Sequence, residues 1–366
     1  MKQKILILAL MMLPMTAWGQ GLTQWVLDRL DSMATKGIDR NYIDLPKHPW
    51  TIEARITESN SRMNMTSRWE DEEELDGTAD FSITTHNGYH PALGLKISYR
   101  GTGIGFSKRL SSKGSSFSFN STSGHYGFNL SLKSFENTNA DFLASGYEEG
   151  VPTQLQDNLE VEHPIKVRSQ FLDAYYMFNG SHYSYAAANK PGLIQRRSAG
   201  SVVAGIMYYH ASVDFISNNI SNVILNILMH NIGKQKMSQA SIGVGYAYNW
   251  VPARGWLIGA VVMPMFTFYN RTKTYRYEVT YIGDKEIEDD DFFEESEDMF
   301  LVSDPMIERT PNKLEFNYDG RLSIIRNWER FHVRLTGQYH HFTYGNDDTH
   351  GCLSDWSVYL SLGYRF

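Results

Sequence analysis

The chain has 366 residues, a formal net charge of −7 and one cysteine, Cys352. A single cysteine excludes an intramolecular disulfide, and an acidic chain without a basic stripe is a poor candidate for binding nucleic acid. Tyrosine, at 22 residues, and glycine, at 29, are abundant although the hydrophobic content is ordinary at 42%. This combination is typical of transmembrane β-barrels, in which half of each strand faces lipid and aromatic side chains ring the membrane interfaces.

The N terminus has the pattern of an export signal. Two lysines precede an apolar run over 5–15, and Ala17 and Gly19 are small residues of the kind that signal peptidase recognises. The run is too short for a membrane-spanning helix, and no later window offers the necessary length of about 18 apolar residues. We therefore predict a cleavable signal peptide over 1–19 and export to the outer membrane of a Gram-negative cell.

Residues 20–49 are expected to form a periplasmic N-terminal segment. Apolar residues recur there at helical spacing, which predicts one short helix docked on the domain that follows. The stripe consists of Leu22, Val26, Leu30 and Met33, with Trp25 beside it. Pro46 and Pro49 then end the segment.

From Trp50 onwards, apolar residues alternate with small or polar ones. The last stretch, WSVYLSLGYRF at 356–366, has Trp, Val, Leu, Tyr and Phe on one face and mostly small or polar residues on the other. Charges on the second face would be costly to bury in a small soluble barrel, whereas a wet lumen inside a lipid-facing wall accommodates them. The pattern predicts an all-β fold over 50–366, a closed antiparallel transmembrane β-barrel in which closure satisfies every backbone group.

The alternation also gives an approximate strand number. We favour a barrel of about 12 strands, with 10 or 14 as alternatives. The last strand is expected to pair with the first and so to close the barrel. The stretches with strand-like alternation are 50–58, 80–87, 92–100, 102–110, 115–122, 125–135, 165–178, 182–190, 198–212, 238–249, 255–270, 311–326, 330–344 and 355–366.

The connections between these stretches differ in length. Long polar loops are predicted at 136–164 and 271–310. Short turns on one side of the membrane and long loops on the other are typical of outer-membrane barrels. The short turns are predicted at 100–103, 123–125, 179–181 and 327–329.

Three stretches resemble a known family of outer-membrane barrels. They are DRNYIDLPKHPW at 39–50, NGYHPALGLKISYRGTGIGFS at 87–107 and GLIQRRSAGSVVAGIMYY at 192–209. The family that they resemble is the one known as domain of unknown function 4421, and the resemblance covers residues 39–366. Because similar proteins have no assigned activity, the resemblance implies the barrel fold and the outer-membrane location and supplies no catalytic residues.

Two acidic runs, at 70–76 and 284–298, stand out in the loops. They lack the spacing and the turn glycine of a calcium loop and are interpreted as solvated surface loops. If both lie outside the cell, they would form an acidic mouth that favours cations over anions. His86 and His90 lie at a strand turn rather than on a helix, so no metal site is predicted, and no cofactor is predicted either.

One segment, 213–232, departs from the period of two. Its apolar residues fall at helical spacing. We interpret it as a helix on the barrel rim or in the membrane interface, and a helical plug inside the lumen is the alternative. The stripe consists of Ile216, Ile220, Val223, Ile224, Ile227 and Leu228.

The polar faces of the first and last strands are predicted to project into one lumen. They form either a structural lattice of ion pairs that fills a narrow barrel or a polar path for small solutes. Strand number does not decide between these, because barrels of about 8 strands fill with side chains and those of about 16 leave a channel. The lumen-lining candidates are Glu53, Arg55, Glu315, Asp319, Arg321, His332, Arg334, His340 and Arg365.

These patterns together predict an integral outer-membrane barrel that is either a porin-like passive pore for small solutes or structural. One alternative is a barrel that docks a periplasmic or surface partner. A second is a lipid-modifying enzyme, but no nucleophile, base and orienting acid lie at suggestive spacing, so no enzyme is predicted. The expected partners are outer-membrane lipid, lipopolysaccharide and the barrel assembly machinery, which would bind the C-terminal strand ending at Phe366.

Overall fold

The structure is a computed structural model, and it does not describe every residue. The predicted signal peptide, the acidic run at 284–298 and nearly all of the run at 70–76 lie outside the described residues. Most of the predicted helix at 213–232 does so too. The described ranges are 20–70, 78–86, 90–148, 151–190, 192–214, 231–281, 300–310, 314–345 and 349–366.

Strands dominate the described residues, and two helices accompany them. The helices are α1 (Gln20–Thr35) and α2 (Tyr185–Asn189). The strands are β1 (Ile43–Asp44), β2 (Trp50–Glu70), β3 (Thr78–His86), β4 (Ala92–Tyr99), β5 (Thr102–Arg109), β6 (Gly114–Thr122), β7 (Tyr126–Glu148), β8 (Val151–Met177), β9 (Ile194–Gln195), β10 (Ala199–Asp214), β11 (Ile232–Trp250), β12 (Trp256–Arg276), β13 (Val279–Tyr281), β14 (Phe300–Val302), β15 (Met306–Arg309), β16 (Glu315–Asn327), β17 (Phe331–Gly345) and β18 (Thr349–Arg365).

Twelve of these strands close into one antiparallel barrel. The order around the wall is β2, β4, β5, β6, β7, β8, β10, β11, β12, β16, β17 and β18, and β18 pairs back onto β2. The closing pair runs from Thr349 opposite Ser67 to Arg365 opposite Thr51. The predicted fold class, the favoured strand number and the pairing of the last strand with the first are therefore confirmed.

The barrel wall follows directly from the alternation. Successive side chains of a strand point to opposite faces, so in β18 Leu360 and Leu362 are exposed on the outside while Ser361 is buried inside. An apolar outer face and a backbone paired all the way round are what a bilayer requires of a strand-built protein. Other exposed outward-facing residues include Ile52, Ile56, Leu95, Phe106, Tyr176, Ile206, Val244, Tyr246, Val262, Phe316, Tyr318, Leu335 and Phe366.

Tight turns join the strands at one end of the barrel, which we call the short-turn end. In the turn between β4 and β5, Arg100 has φ +49° and Gly101 has φ +92°. Positive φ at both central residues is the type I′ geometry that matches the twist of a hairpin. The turn at 123–125, the one at 251–255 and the one at 328–330 lie at the same end, as do α1 and Phe366.

The opposite end, which we call the hairpin end, has fewer strands in its wall. There β3 alone lies between β2 and β7, pairing Met63 with Thr85 and His86 with Asn139. Towards the short-turn end the same gap is filled by β4, β5 and β6. The predicted strand at 80–87 thus exists, although it forms the wall only near the hairpin end.

The predicted strand at 182–190 is wrong, because this stretch contains α2. Ser184 caps the helix by accepting a hydrogen bond from the backbone N–H of Ala187, at 3.1 Å. Three consecutive alanines follow Tyr185, and alanine has the highest helix propensity of all residues. The predicted short turn at 179–181 is wrong for the same reason, since it opens the long connection that carries α2.

The predicted loop at 136–164 is also wrong. β7 and β8 stay paired up to Glu148 opposite Val151, with an irregularity after Asn137. The predicted loop at 271–310 is partly strand, since β12 continues to Arg276 and β15 pairs with it. Beyond the bilayer both faces of a strand meet water, so a polar strand shows no alternation that would distinguish it from a loop.

The inner face of the barrel is less polar than predicted. A cluster of buried apolar side chains follows the inside of β8, β10, β11 and β12, and reaches β2, β3, β7, β17 and β18 towards the hairpin end. The lumen therefore has one apolar side and one charged side. Members of the cluster near the hairpin end include Met63, Ile83, Phe135, Val213, Met237, Phe342 and Leu353.

The predicted N-terminal helix exists as α1 and is held at the short-turn end. Asp31 accepts hydrogen bonds from the Tyr99 hydroxyl, at 2.8 Å, and from Arg100 Nε, at 2.9 Å. Trp25 and Val26 on the same helix are exposed. No helix in the described ranges has the length and apolar character needed to cross a bilayer.

Candidate functional site in the barrel lumen

The helix α2 lies inside the lumen near the short-turn end, and all five of its residues are buried. Two glycines of the wall make room for it. The Ala188 Cβ would collide with a side chain at Gly259, and the Ala186 Cβ lies 3.5 Å from the Cβ position of Gly101. The connection between β8 and β10 thus folds back into the barrel instead of turning outside it.

Polar side chains of β9 and β11 anchor the residues before α2. Asn249 Nδ2 donates to the backbone carbonyl of Ser184 at 2.8 Å, and Gln195 Oε1 accepts from the Ser184 backbone N–H at 2.9 Å. Gln195 Nε2 also donates to the carbonyl of His182 at 2.6 Å. Buried backbone groups need such partners, so these two amides fix where α2 begins.

Two arginines hold the helix itself. Arg321 donates to the hydroxyl of Tyr185, and Arg334 donates to the backbone carbonyl of Asn189. Both arginines are buried, and both belong to ion-pair clusters on the charged side of the lumen. The helix α2, which we call the plug, is therefore connected to both ion-pair clusters.

The first ion-pair cluster is centred on Glu53, which is only 1% exposed. Its Oε1 lies 2.8 Å from Arg334 Nη2 and 3.2 Å from His332 Nε2, and its Oε2 lies 3.9 Å from Lys96 Nζ. Isolated charges in a low-dielectric interior are strongly unfavourable. The Glu53 carboxylate on β2 thus compensates part of the positive charge of basic groups on β4 and β17.

The second cluster is centred on Arg321. Its Nη2 lies 2.8 Å from Asp173 Oδ2 and 3.2 Å from Asp319 Oδ2. Asp319 Oδ1 in turn lies 2.8 Å from His340 Nδ1, and Asn129 donates to Asp173 Oδ2 at 3.1 Å. The cluster joins β7, β8, β16 and β17, which lie on different sides of the lumen.

At the hairpin end, side chains meet across the lumen. The rings of Tyr209 on β10 and Phe342 on β17 stack with centroids 4.3 Å apart and an interplanar angle of 13°. Gln239 on β11 donates to the backbone carbonyl of Thr343 on β17. These contacts join strands that are not neighbours in the wall, and so they close the lumen above the charged clusters.

A cavity remains between the plug and the hairpin-end contacts. Its volume is about 150 Å³, about ten times what one water molecule needs. Nine serines line it together with more basic than acidic side chains, the acids being Asp173 and Asp355. The seven basic residues of the lining are Arg55, Lys96, Arg109, Lys133, Lys190, Arg321 and Arg334.

The structure places most of the predicted lumen candidates together. Glu53, His332 and Arg334 meet in the first cluster, Asp319, Arg321 and His340 in the second, and Arg55 lines the cavity. Two candidates lie apart from this group. Glu315 accepts a hydrogen bond from Thr343 near the hairpin end, at 2.9 Å, and Arg365 binds Asn327 and the Trp328 carbonyl at the short-turn end.

Several residues of the site were not among the candidates. Lys96 and Asp173 lie on alternating strands with apolar residues on either side, so the same rule assigns them to the inner face. Alternation did not indicate Lys190, because this residue follows α2, and the stretch that contains α2 was predicted as a strand. Arg109 and Lys133 were detectable by their alternation with outward-facing neighbours.

Residues 36–49 lie across the short-turn end. Lys47 Nζ donates to Glu329 Oε1 at 2.7 Å, and this hydrogen bond lowers the pKa of Glu329 and raises the pKa of Lys47. The backbone N–H of Asn41 donates to Asp39, which lowers the pKa of that carboxyl group. The contact between Lys47 and Glu329 attaches the segment to the turn between β16 and β17, whereas the contact between Asn41 and Asp39 lies within the segment.

Histidine and serine meet in pairs on the outer face of the barrel. His210 Nδ1 lies 2.8 Å from Ser238 Oγ, and His341 Nδ1 lies 3.0 Å from Ser354 Oγ. No carboxylate in the described ranges is hydrogen-bonded to either ring, and none of those ranges holds three His, Cys, Asp or Glu side chains grouped as metal ligands. His90 contacts Ser111 Oγ at 2.9 Å. The expectation that the protein is not an enzyme stays a prediction.

An apolar outer face, a closed wall and a lumen filled by a helix define a transmembrane β-barrel with an occluded interior. The chain belongs to the family described as Domain of unknown function (DUF4421), whose model matches residues 37–366. This match confirms the family that the three sequence stretches indicated. No curated protein matches the chain in sequence.

Solved structures of outer-membrane barrels are similar in architecture only. The outer membrane protease OmpT from Escherichia coli is 9% identical, with 88% of this chain and 97% of that chain covered and a TM-score of 0.33. The translocator domain of the autotransporter NalP from Neisseria meningitidis is 10% identical, with 94% and 96% covered and a TM-score of 0.29. OprG from Pseudomonas aeruginosa is 10% identical, with 88% and 98% covered and a TM-score of 0.27.

Proposed function

We propose that this protein is an outer-membrane barrel that passes small polar solutes through a gated lumen and is closed in the conformation described above. The observation that carries this proposal is the helix α2 inside the lumen, held by Arg321 and Arg334. With the usual orientation of outer-membrane barrels, the short-turn end faces the periplasm. The plug then lies on the periplasmic side and the Tyr209–Phe342 stack on the outer side.

Two barriers in series explain why a permanently open pore is the weaker hypothesis. A solute entering from outside meets the apolar contact between Tyr209 and Phe342, and hydrophobic constrictions of this kind exclude water and ions. A solute that reaches the charged cavity then meets α2. The narrower of two constrictions in series limits the flow of solute through both. The lumen therefore opens only when both barriers move.

The test is single-channel recording of the refolded protein in planar bilayers. The wild type is expected to show rare, brief openings. The inner barrier is weakened by the paired substitutions Glu53→Gln and Arg334→Gln, which remove the contact with Asn189 and take away one negative and one positive charge together. The outer barrier is weakened by Phe342→Ser, and the variant with all three substitutions is expected to stay open far longer than either partial variant.

A matched control separates the gate from general loosening of the barrel. Lys47→Gln with Glu329→Gln removes an ion pair that is exposed outside the lumen, and it should leave the recordings unchanged. Steady conductance in the wild type would point to an open pore and refute the gate. Complete silence in the folded wild type and the triple variant alike would mean that the barrel is structural.

A second function, docking of a periplasmic partner, is favoured by one observation on α1. Trp25 is 63% exposed and Val26 is 41% exposed, although the helix is held firmly to the barrel through Asp31. A helix that is anchored on one side and presents large apolar side chains on the other suits an interaction surface. The double substitution Trp25→Ser and Val26→Ser should then abolish co-purification of a periplasmic protein with the barrel.

A further inference from the structure

Four of the seven basic residues that line the cavity have no hydrogen-bonded counter-ion in the described part of the chain. They are Arg55, Lys96, Arg109 and Lys190. Lys96 is 5% exposed, and its nearest carboxylate oxygen, on Glu53, lies 3.9 Å away. That distance is too long for a hydrogen bond, and the Glu53 carboxylate already binds Arg334 and His332.

The other three cations have no hydrogen-bonded carboxylate in the described part of the chain. Glu53 acts on Arg55 only at longer range, as do Glu58 and Asp355 on Arg109. Lys190 has Lys96, Arg321 and Arg334 as electrostatic neighbours, and Asp173, which is already paired with Arg321, opposes them. The Arg55 guanidinium lies over the Tyr359 ring at 5.9 Å, and the absence of side chains at Gly94 and Gly105 leaves it room.

Arg109 lies near the hairpin-end side of the same cavity. It is 8% exposed, and its guanidinium lies 4.8 Å from the centre of the Phe135 ring. Its Nη1 has no hydrogen-bond partner among the residues that the structure describes. Aromatic faces partly stabilise a guanidinium but do not neutralise its charge. A buried donor of this kind costs free energy until something accepts its hydrogen bond.

We propose that the cavity is a binding site for a small oxyanion, such as a phosphate, sulfate or carboxylate group, with Lys96 and Lys190 as its principal ligands. An oxyanion offers several acceptor oxygens at once, which suits ammonium and guanidinium donors. Serine hydroxyls donate to the remaining oxygens. An anion would have to pass the contact between Tyr209 and Phe342 to enter, but binding requires no movement of α2, so the site does not depend on solute passing through the barrel.

The anion has two possible sources with the same chemistry, a free solute and the phosphate group of a lipid. Thermal unfolding of the refolded protein in detergent is measured against inorganic phosphate, with chloride at the same ionic strength as the reference. A second series uses mixed micelles that contain phosphatidic acid. A ligand that binds only the folded state raises the midpoint as its concentration rises, so a rise with phosphate indicates a free solute and a rise with the lipid alone indicates a headgroup.

Variants identify the ligands. Lys96→Gln and Lys190→Gln should each weaken anion binding roughly ten-fold or more, because each removes a charge-assisted hydrogen bond. Lys190→Gln should also raise the unfolding midpoint in anion-free buffer, because it relieves repulsion among like charges. A purely structural lysine would give the opposite sign and no dependence on anion. Lys108→Gln, on the outer face of β5, is the matched control and should change neither quantity.

A measurement on the wild type covers the case in which a variant fails to fold. Lysine acetylation is followed by mass spectrometry with and without phosphate, and with and without the lipid. Long reaction times allow acetylation of Lys96 and Lys190 during rare opening of the barrel. The anion should slow their acetylation and leave that of the exposed Lys113 unchanged. The proposal is overturned if neither phosphate nor phosphatidic acid raises the midpoint and neither protects these two lysines.

Discussion

At the scale of single residues, the most consequential side chain in the lumen is Glu53. It contacts Arg334, His332 and Lys96 at once, so Glu53→Gln leaves several buried basic groups without an anion. Removing one partner of a buried ion pair typically costs about 3–5 kcal/mol. We expect a loss of this size in the free energy of unfolding, measured by urea titration of the barrel in lipid vesicles with tryptophan fluorescence.

Two comparisons make that expectation specific. The double variant Glu53→Gln with Arg334→Gln should be more stable than Glu53→Gln alone, because it removes both charges together. Glu329→Gln, whose carboxylate is exposed and outside the lumen, should leave stability unchanged. Equal losses in Glu53→Gln and the double variant would show that the carboxylate does not compensate Arg334.

A second residue-scale prediction concerns a glycine that the packing requires. Gly363 pairs directly with His332 in the register between β17 and β18, and the imidazole ring occupies the space where a Cβ at Gly363 would lie. Gly363→Ala should therefore displace a fully buried ring, and we expect it to cost roughly 1–3 kcal/mol. The same urea titration measures it.

The matched control for this substitution is Gly337→Ala in the neighbouring strand. No atom of the described residues lies within 4 Å of the Cβ position at Gly337, so the added methyl group meets no obstacle there. If both alanine variants lose the same stability, the cost arises from the strand backbone and not from contact with His332.

At the scale of elements, the accuracy of the sequence predictions depends on where lipid lies. A membrane-crossing strand such as β18 must be apolar on one face, and this requirement produces the alternation that revealed it. The part of β7 at the hairpin end does not need an apolar face. It lacks the alternation for that reason and was predicted as a loop. The stretch containing α2 was misassigned because His182, Tyr183, Ser184 and Tyr185 mimic alternation just before the alanines.

The plug itself can be tested through its anchor on β11. Asn249 is fully buried and donates to the Ser184 carbonyl at 2.8 Å. Asn249→Leu removes that hydrogen bond and the one that Asn249 Nδ2 donates to Gln195 Oε1 at 3.1 Å, each worth about 0.5–1.5 kcal/mol. Hydrogen exchange at the amides of Ala187 and Lys190 should accelerate roughly ten-fold or more, while amides in the centres of the barrel strands should keep their protection.

Ser198→Ala provides the control for the plug. Its hydroxyl accepts a hydrogen bond from the Val251 backbone N–H at 2.9 Å, on the same connection but not at α2. Exchange at Ala187 should stay slow in this variant. Unchanged exchange at Ala187 in Asn249→Leu would show that Asn249 does not hold the helix.

At the scale of the whole molecule, the site depends on barrel closure. Glu53 and Arg334 are 281 residues apart in sequence and meet only because β18 pairs with β2. Alternation could assign both to the inner face, since it needs only neighbouring residues. It could not specify which charges would pair, how many would remain unpaired, or that a helix would fill the lumen, because these depend on the registers of all twelve strands.

The whole molecule also makes a prediction about ion selectivity. The acidic runs at 70–76 and 284–298 suggested a mouth that favours cations, but the cavity has seven basic and two acidic lining residues. Charges exposed to water are screened over about 8 Å in physiological salt, whereas those inside a narrow lumen act directly on the passing ion.

The variant with Glu53→Gln, Arg334→Gln and Phe342→Ser should therefore prefer anions, as measured by its reversal potential in a KCl gradient. Adding Lys96→Gln and Lys190→Gln should move that potential towards zero. Replacing Lys108 instead, on the outer face, should not. A cation preference that survives the two lysine substitutions and falls with rising salt would instead assign selectivity to the acidic loops and leave the cavity charges a structural role.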